Sequence, residues 1–320
     1  MEKAIEENNK ALVPEAFNAA FNTCDDSSCE RYWSLGYSST ELNEFKKINK
    51  NKFMKTIIKS LSVFIATLFM LPGYAQHLSE LSTKENNKLK AKKVLFVVTS
   101  QAIVEATGHQ TGLWIEEFVT PYYLLLDKGV RITVASPKGG VSPIDPRSQN
   151  PDYSNEETKR FNKDSKAQAV LNNTVALKDI NFKEYDAVFY PGGHGPMWDM
   201  PDNKYSIKLI ENMYNAGKPI AFVCHAPVAL KNVKTKDGNL LIKGKKVAGF
   251  ANTEEHAGHT EVDVPFLLED MLTNAGADYV KGPDWGSFAV TDGLLISGQN
   301  PHSSEAVTER IVAALLAAKK

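Results

Sequence analysis

Apolar runs and amphipathic segments alternate along the chain from Lys93 to Lys320. Short apolar runs bounded by polar residues or glycine are typical of buried strands, whereas apolar residues three and four positions apart are typical of helices. The pattern predicts strands at 94–99, 130–136, 187–190, 220–223 and 294–297, and helices at 121–128, 205–215, 264–274 and 305–318. Because strands alternate with helices, we expect an α/β domain with a doubly wound, mostly parallel sheet sandwiched by helices over residues 93–320.

A different pattern precedes this domain at residues 54–76. Two lysines come first, an apolar stretch follows at 61–71, and Gly73 and Ala75 supply the small residues that a signal peptidase requires. The apolar stretch is too short for a comfortable membrane span. We therefore predict a signal peptide over 54–76; the alternative is a buried core helix.

A signal peptide belongs at an N-terminus, so we expect translation to start at Met54 and the exported mature protein to begin near Gln76. The protein would then be periplasmic or secreted, without stable membrane association after cleavage. If translation starts elsewhere, we expect a cytoplasmic protein. Residues 77–92 are polar and charged, which predicts a linker.

Residues 1–53 carry a pattern of their own. Apolar positions between Ala11 and Phe21 predict one helix, and Tyr32 with Trp33 predicts a second. This stretch resembles the opening helices of SnoaL-like (NTF2-fold) proteins over residues 1–40, although the rest of that fold is missing. Because two short helices cannot build a core, we interpret residues 1–53 as a SnoaL-like fragment, from a neighbouring reading frame, or as an extension without a function of its own.

The composition excludes several function classes. The chain has 320 residues, of which 42% are hydrophobic and 23% charged, and its formal net charge is −1. This balance gives no electrostatic basis for binding nucleic acid or an anionic membrane. The three cysteines, Cys24, Cys29 and Cys224, form no Cys-x-x-Cys or zinc pattern, and no Gly-x-Gly-x-x-Gly fingerprint is present. We expect no cofactor and no metal.

Cys224 carries the strongest chemical signal. It lies between the predicted strand at 220–223 and the predicted start of a helix at 226–230, and His225 follows it directly. Free N–H groups and the dipole at a helix N-terminus favour thiolate over thiol. We therefore expect a nucleophilic cysteine with a lowered pKa; the alternative is a small buried cysteine in a core turn.

Gly192 and Gly193 follow the predicted strand at 187–190, on the same side of the sheet as Cys224. Two glycines can bring backbone N–H groups close to a substrate oxygen, which suits an oxyanion hole. The alternative is a plain tight turn. His194 comes next, and we expect it to line the substrate pocket.

A second group of polar residues surrounds His256 and His259. With Glu255 and Glu261 they have ligand types that a metal ion would accept. The two histidines are three rather than four positions apart, on a segment that contains glycine. We interpret this group as a polar loop near the pocket, with a metal site as the alternative.

Residues 93–320 resemble the DJ-1/PfpI superfamily, within the flavodoxin-like, class-I glutamine-amidotransferase-like fold, and most closely its Hsp31-like glyoxalase III branch. The matching segments lie at 111–123, 135–140, 190–195, 223–227, 249–255 and 291–301, in the order of the family. The resemblance covers more than two thirds of the chain. It also implies a homodimer.

The resemblance implies a role for four side chains. The family's nucleophile falls on Cys224 and its adjacent histidine on His225. The acid that hydrogen-bonds the thiol falls on Glu117, with Glu116 as the near miss.

The remaining site positions follow in the same way. The carboxylate partner of the histidine falls on Glu255, with Glu254 as the second choice. The oxyanion donors fall on the Gly193 amide and on an amide next to Cys224.

The activity implied by the resemblance is a glutathione-independent glyoxalase that converts methylglyoxal or glyoxal to D-lactate or glycolate through a hemithioacetal on Cys224. A base, His225 or Glu117, would move a proton between the two reacting carbons. Alternatives are a chaperone-like holdase or a cysteine hydrolase, such as a peptidase, amidase or protein deglycase. We do not expect true glutamine amidotransfer, because in that family the catalytic histidine lies far downstream of the cysteine, whereas here His225 follows Cys224 directly.

Overall fold

The computed structural model describes residue 85 and residues 87–318. The predicted signal peptide, the SnoaL-like segment, Cys24 and Cys29 lie outside the described residues. The end of the predicted linker is helical at 87–90, and Leu89 is buried in the core. The folded domain therefore begins before the expected boundary at residue 93.

Buried apolar runs form most of a central seven-stranded sheet. The strands of the protein are β1 (Lys93–Val97), β2 (Arg131–Ser136), β3 (Val175–Ala176), β4 (Ala187–Tyr190), β5 (Ile220–Val223), β6 (Lys246–Val247), β7 (Asp278–Tyr279), β8 (Ala289–Asp292) and β9 (Leu295–Gly298). The sheet has the order β3-β2-β1-β4-β5-β9-β8, and only the β8–β9 pair is antiparallel. β6 and β7 form a separate parallel pair.

Helices flank this sheet, which confirms the expected α/β class. They are α1 (Ile115–Asp127), α2 (Glu156–Phe161), α3 (Ser165–Asn172), α4 (Pro196–Asp199), α5 (Lys204–Asn215), α6 (Asn252–Ala257), α7 (Leu268–Asn274) and α8 (Ser304–Ala317). α8 packs against α1 and β9, and α5 packs against β4 and β5. Within residues 87–318, no helix is long and apolar enough to span a membrane.

α1 begins six residues before the predicted start. We expected Pro121 near its N-terminus, where proline is common, but Pro121 lies inside the helix. An interior proline costs about 3 kcal/mol. Burial of Ile115, Phe118 and Val119 offsets this cost, since each such side chain contributes about 1.5–3 kcal/mol. The early start puts Glu117 in the first turn of α1.

The edge strand β8 was missed by the sequence pattern. Its residues are only partly buried, and it joins β9 through a tight turn in which Gly293 has φ +61°. By contrast, β4 and β5 are buried throughout. Because β4 and β5 are parallel neighbours, their carboxyl ends lie side by side and define the place where a site is expected.

Candidate active site

Cys224 lies directly after β5 in a backbone conformation that side chains rarely adopt, with φ +59°. Such a residue costs about 1–3 kcal/mol unless its surroundings hold it. Its N–H donates to the carbonyl of Gly298 at 3.0 Å, and its carbonyl accepts from the N–H of Phe250 at 2.9 Å. These two bonds fix the sharp turn that presents the sulfur beyond the end of the strand.

The segment after this turn is a 3₁₀ helix of five residues, Ala226–Leu230, rather than the start of an α-helix. Its dipole is too short to supply the expected stabilisation of a thiolate. Burial raises the pKa of the Cys224 thiol well above its ordinary value, and the adjacent Glu117 carboxyl raises it further. The expectation of a lowered pKa was therefore wrong, because burial is not visible in the local sequence.

Glu117 is completely buried beside this thiol. Its Oε2 accepts a hydrogen bond from the N–H of Gly192 at 2.7 Å. Its Oε1 has no hydrogen-bond partner with full geometry among the described residues. Burial raises the pKa of Glu117 well above its ordinary value, although hydrogen bonding with Cys224 partly opposes this shift. Both shifts favour the protonated forms of the carboxyl and the thiol.

His225 connects the thiol to a second carboxyl. Its Nδ1 lies 3.2 Å from the sulfur of Cys224, and its Nε2 lies 2.7 Å from Oε2 of Glu255. The imidazole also lies against the ring of Phe250, with 4.4 Å between the ring centroids. A thiol, an imidazole and a carboxylate in this order form an arrangement that can move the thiol proton.

Glu255 is held by two imidazoles at once. Its Oε1 lies 2.9 Å from Nε2 of His194 and accepts a hydrogen bond from the hydroxyl of Thr260. Burial alone would raise the pKa of Glu255, but His225 and His194 lower it far below its ordinary range. Glu255 is therefore an ionised carboxylate inside the protein.

The neighbouring glutamates point to other partners. Glu254 is buried and accepts hydrogen bonds from the N–H of Trp285 and the side chain of Asn300. Glu116 is partly buried, and burial raises its pKa. The structure thus puts Glu255 rather than Glu254 against His225, and Glu117 rather than Glu116 against Cys224.

The two glycines differ in what their N–H groups do. The N–H of Gly192 is taken by Glu117, so the expected oxyanion role of this amide is corrected. The N–H of Gly193 faces the sulfur of Cys224 and lowers the pKa of the thiol, against the effect of burial. The N–H of His225 makes no hydrogen bond to a described residue. The Gly193 and His225 amides are thus the available oxyanion donors.

Both glycine positions exclude a larger residue. A Cβ on Gly193, which has φ +93°, would lie 2.5 Å from the carbonyl oxygen of Gly112. A Cβ on Gly192 would lie 2.7 Å from the carbonyl oxygen of Val223. The close approach of the end of β5 therefore requires Gly192, and the close approach of the segment before α1 requires Gly193.

His194 is buried and has no free ring nitrogen. Its Nε2 contacts Glu255, and its Nδ1 lies 2.8 Å from Nη2 of Arg147. Both ring nitrogens already contact protein, so His194 has no free polar atom for a substrate, and its place in the pocket lining stays a prediction. Sequence reasoning missed Arg147, which contacts His194 from a distant segment of the chain, and Thr260, which donates to Glu255 from the segment directly after α6.

Two groups have donor atoms that suit a metal ion. His256 and Glu261 lie 3.4 Å apart and are exposed, but His256 belongs to the last turn of α6 rather than to a loop. His194, His225 and Glu255 lie within reach of one ion. Their nitrogens and oxygens already satisfy one another's hydrogen bonds, so we assign them as a hydrogen-bonded group rather than as metal ligands.

Comparison with known proteins gives consistent results. The model of the DJ-1/PfpI family matches residues 110–314. Glyoxalase 3 of Candida albicans is 33% identical over 232 residues, which covers 69% of this chain and 98% of the relative. The glutathione-independent glyoxalase HSP31 of Saccharomyces cerevisiae is 31% identical, covering 70% of this chain and 98% of the relative.

Solved structures agree with these matches. The Rapid Encystment Protein 24 kDa of Francisella tularensis superimposes with a TM-score of 0.67 at 38% identity and covers 70% of this chain and 99% of that one. The crystal structure of glyoxalase III from Candida albicans superimposes with a TM-score of 0.65 at 30% identity, covering 70% and 98%.

Proposed function

The chain belongs to the DJ-1/PfpI family, and on that premise we propose that it is a glutathione-independent glyoxalase. It converts methylglyoxal to D-lactate and glyoxal to glycolate. The relatives named as glutathione-independent glyoxalases match this chain over almost their whole length. The observation that supports this chemistry most directly is the contact of Cys224 with His225, which in turn contacts Glu255.

The first step is addition of sulfur to the aldehyde carbon. Because its pKa is raised, Cys224 meets the substrate as a thiol. Nδ1 of His225, 3.2 Å away, takes the proton as the carbon–sulfur bond forms and the carbonyl π electrons move to oxygen. The imidazolium is stabilised by Glu255. The N–H groups of Gly193 and His225 stabilise the oxyanion, which takes the proton back to give a hemithioacetal.

The second step moves hydrogen between the two carbons. His225, neutral again, removes the proton from the former aldehyde carbon, a carbon–carbon double bond forms, and the ketone π electrons move to the ketone oxygen to give an enediolate. The imidazolium then returns the proton to the adjacent carbon, and the hydroxyl proton of the hemithioacetal moves to the second oxygen, which gives a thioester of the 2-hydroxy acid. We assign this base to His225 because burial raises the pKa of Glu117, and a protonated carboxyl cannot take the substrate proton.

Water completes the reaction. It attacks the thioester carbonyl, the carbon–sulfur bond breaks, and the proton returns to sulfur. One carbon of the substrate is oxidised and its neighbour is reduced, so the product has the composition of the substrate plus one water molecule. No external oxidant or reductant enters this balance.

The test is turnover of methylglyoxal without glutathione by the full chain and by residues 76–320. We expect lactate to form at the rate at which methylglyoxal is lost. Cys224→Ser should lower turnover to near background with little change in folding. If the parent converts no 2-oxoaldehyde, the glyoxalase proposal fails and the hydrolase and holdase alternatives take its place.

We also propose that the protein is exported after translation from Met54. The charge, apolar stretch and small residues of segment 54–76 support this proposal. Sequencing of the N-terminus of protein from its native host should find Gln76 or a near neighbour. Cytoplasmic protein that retains Met1 would contradict it.

We further propose that the exported domain forms a homodimer, which the family resemblance implies. Light scattering coupled to size-exclusion chromatography should give twice the mass of the mature chain. A monomer mass at micromolar concentration would contradict the proposal and leave the catalytic scheme untouched.

A further inference from the structure

A continuous chain of hydrogen bonds extends from the catalytic imidazole to a half-exposed arginine. His225 contacts Glu255 at 2.7 Å, Glu255 contacts His194 at 2.9 Å, and His194 contacts Arg147 at 2.8 Å. Both histidines and the carboxylate are buried. The reaction scheme uses His225 and Glu255, but neither His194 nor Arg147.

The direction of the bond at Arg147 is fixed by its chemistry. A guanidinium carries only donors, so Nη2 of Arg147 must donate to Nδ1 of His194. That nitrogen therefore carries a lone pair, and the ring of His194 is neutral with its proton on Nε2. His194 consequently donates from Nε2 to Oε1 of Glu255.

The direction of the hydrogen bond between Glu255 and His225 follows in the same way. An ionised carboxylate only accepts, so Glu255 accepts from Nε2 of His225 as well. When His225 is neutral, its single proton is on Nε2 and its Nδ1 is bare. That bare nitrogen lies 3.2 Å from the sulfur of Cys224, where the first step needs a proton acceptor.

We propose that Arg147 and His194 are positioning residues. Arg147 keeps His194 neutral, and neutral His194 leaves Glu255 available to orient His225 with Nδ1 free for the thiol proton. The proposal rests on the proposed function, since it concerns the base of that reaction. Neither residue contacts the reacting atoms. Both act through Glu255.

The guanidinium is itself held in place. Its Nε and Nη2 donate to the two carboxylate oxygens of Asp145, at 3.1 and 2.8 Å, and its Nη1 lies 3.3 Å from Asp263. These bonds fix the plane of the guanidinium and leave the second hydrogen of Nη2 directed at His194. Such a bidentate pair gives orientation as well as attraction.

The charge of Arg147 has a second effect on His194. The groups that face this imidazole are Arg147, Glu255 and His225. Burial lowers the pKa of His194, His225 lowers it further, Glu255 opposes both, and Arg147 again lowers it. Without Arg147, His194 gains a proton more readily, and an imidazolium at that position competes with His225 for the charge of Glu255.

The first test compares two substitutions of His194 in the full chain. His194→Gln keeps the order of the bonds, because an amide oxygen accepts from Arg147 and the amide nitrogen donates to Glu255. His194→Leu removes both bonds. Loss of the outer partner of a metal-bound imidazole costs about 10–100-fold in activity, and by analogy we expect kcat to fall by about that factor in the leucine variant with KM nearly unchanged. The glutamine variant should stay within about threefold of the parent.

The second test removes the arginine. Arg147→Met should lower kcat and move the acid limb of the kcat pH profile to higher pH, because His194 then holds a proton that weakens the hold of Glu255 on His225. Arg160→Met is the matched control, since it removes an exposed arginine paired with Asp127 at 2.7 Å. The control should keep the parental profile.

The tautomers give a readout that does not depend on turnover. Nitrogen-15 NMR of the full chain should find the ring proton of His194 on Nε2 in the parent, and a mixture or an imidazolium in Arg147→Met. An Nδ1 proton on His194 in the parent would overturn the proposal. So would parental kcat and pH dependence in both His194→Leu and Arg147→Met. A parent that turns over no 2-oxoaldehyde would instead overturn the proposed function, and the NMR result would still decide the tautomer.

Discussion

Two buried carboxyls lie on either side of the Cys224–His225 pair and differ in charge. Glu117, in the first turn of α1, has one strong donor and a pKa raised by burial. Glu255, on α6, has three donors and a pKa lowered by two imidazoles despite its burial. The number and charge of the neighbours decide the state of each carboxyl, because burial alone pushes both in the same direction.

This difference assigns the roles. A neutral carboxyl can donate a hydrogen bond to a thiol or to a substrate oxygen, whereas an ionised one can stabilise an imidazolium. The site therefore has one acid and one anion within reach of the same sulfur–imidazole pair. Substitution of either carboxyl therefore separates the two roles.

The largest effect is expected on the ionised side. Glu255→Gln removes the charge that stabilises the imidazolium and disturbs the tautomer of His225, which in a comparable triad costs about 10⁴-fold in kcat. We expect a loss of about 10³–10⁴-fold in methylglyoxal turnover, measured at saturating substrate.

Glu254→Gln is the matched control, since Glu254 is an adjacent buried carboxyl that accepts from Trp285 and Asn300 instead. It should lower the melting temperature while kcat stays within a few-fold of the parent. If the two glutamine variants lose activity equally, the loss in Glu255→Gln does not come from its contact with His225.

A smaller effect is expected for Glu117, the neutral carboxyl, and it concerns the free energy of unfolding. Because folding raises the pKa of Glu117, the folded protein keeps a proton that the unfolded chain loses above about pH 4.3. The stability of the parent therefore falls as pH rises from there towards the folded-state pKa, by up to about 1.4 kcal/mol per pH unit. Glu117→Gln removes this dependence.

Urea unfolding at a series of pH values measures this contribution. The free energy of unfolding of Glu117→Gln should rise relative to the parent between about pH 5 and pH 8. If the difference in the free energy of unfolding between Glu117→Gln and the parent stays constant over that range, Glu117 titrates at its ordinary value. Turnover by the same variant separates hydrogen-bond donation, which glutamine keeps, from proton exchange.

The smallest effect concerns the thiol between the two carboxyls. Because burial raises its pKa, Cys224 should react with iodoacetamide more slowly in the folded residues 76–320 than in the unfolded chain near neutral pH. The rate should increase as pH rises past the ordinary thiol value, about 8.5. Faster labelling of the folded protein at neutral pH would contradict the raised pKa.

The sequence predicted the two carboxyls but not their difference. The resemblance to family motifs was enough to name Glu117 and Glu255. Their ionisation depends on donors that come from distant segments, namely Gly192 for Glu117 and His194 for Glu255. The same limit explains the wrong sign for the thiol pKa, because the local pattern contains a helix start but not the burial of the sulfur.

The fold followed the same rule. Strands buried on both sides, such as β4 and β5, are continuous apolar runs and were predicted with correct bounds. The partly exposed β8 has no such run and was missed. The predicted start of α1 was too late, because proline is common in the first turn of helices and Pro121 therefore indicated a start there. Only the packed core shows that the helix accommodates Pro121 in its interior.

The most direct test of the difference between the carboxyls is infrared spectroscopy of the folded protein at pH 7. The central claim is that Glu117 is protonated while Glu255 is ionised in the same site. The C=O stretching band of a buried protonated carboxyl should be present in the parent, absent in Glu117→Gln and retained in Glu255→Gln. A parent without that band, or a band lost in Glu255→Gln but kept in Glu117→Gln, would contradict the account.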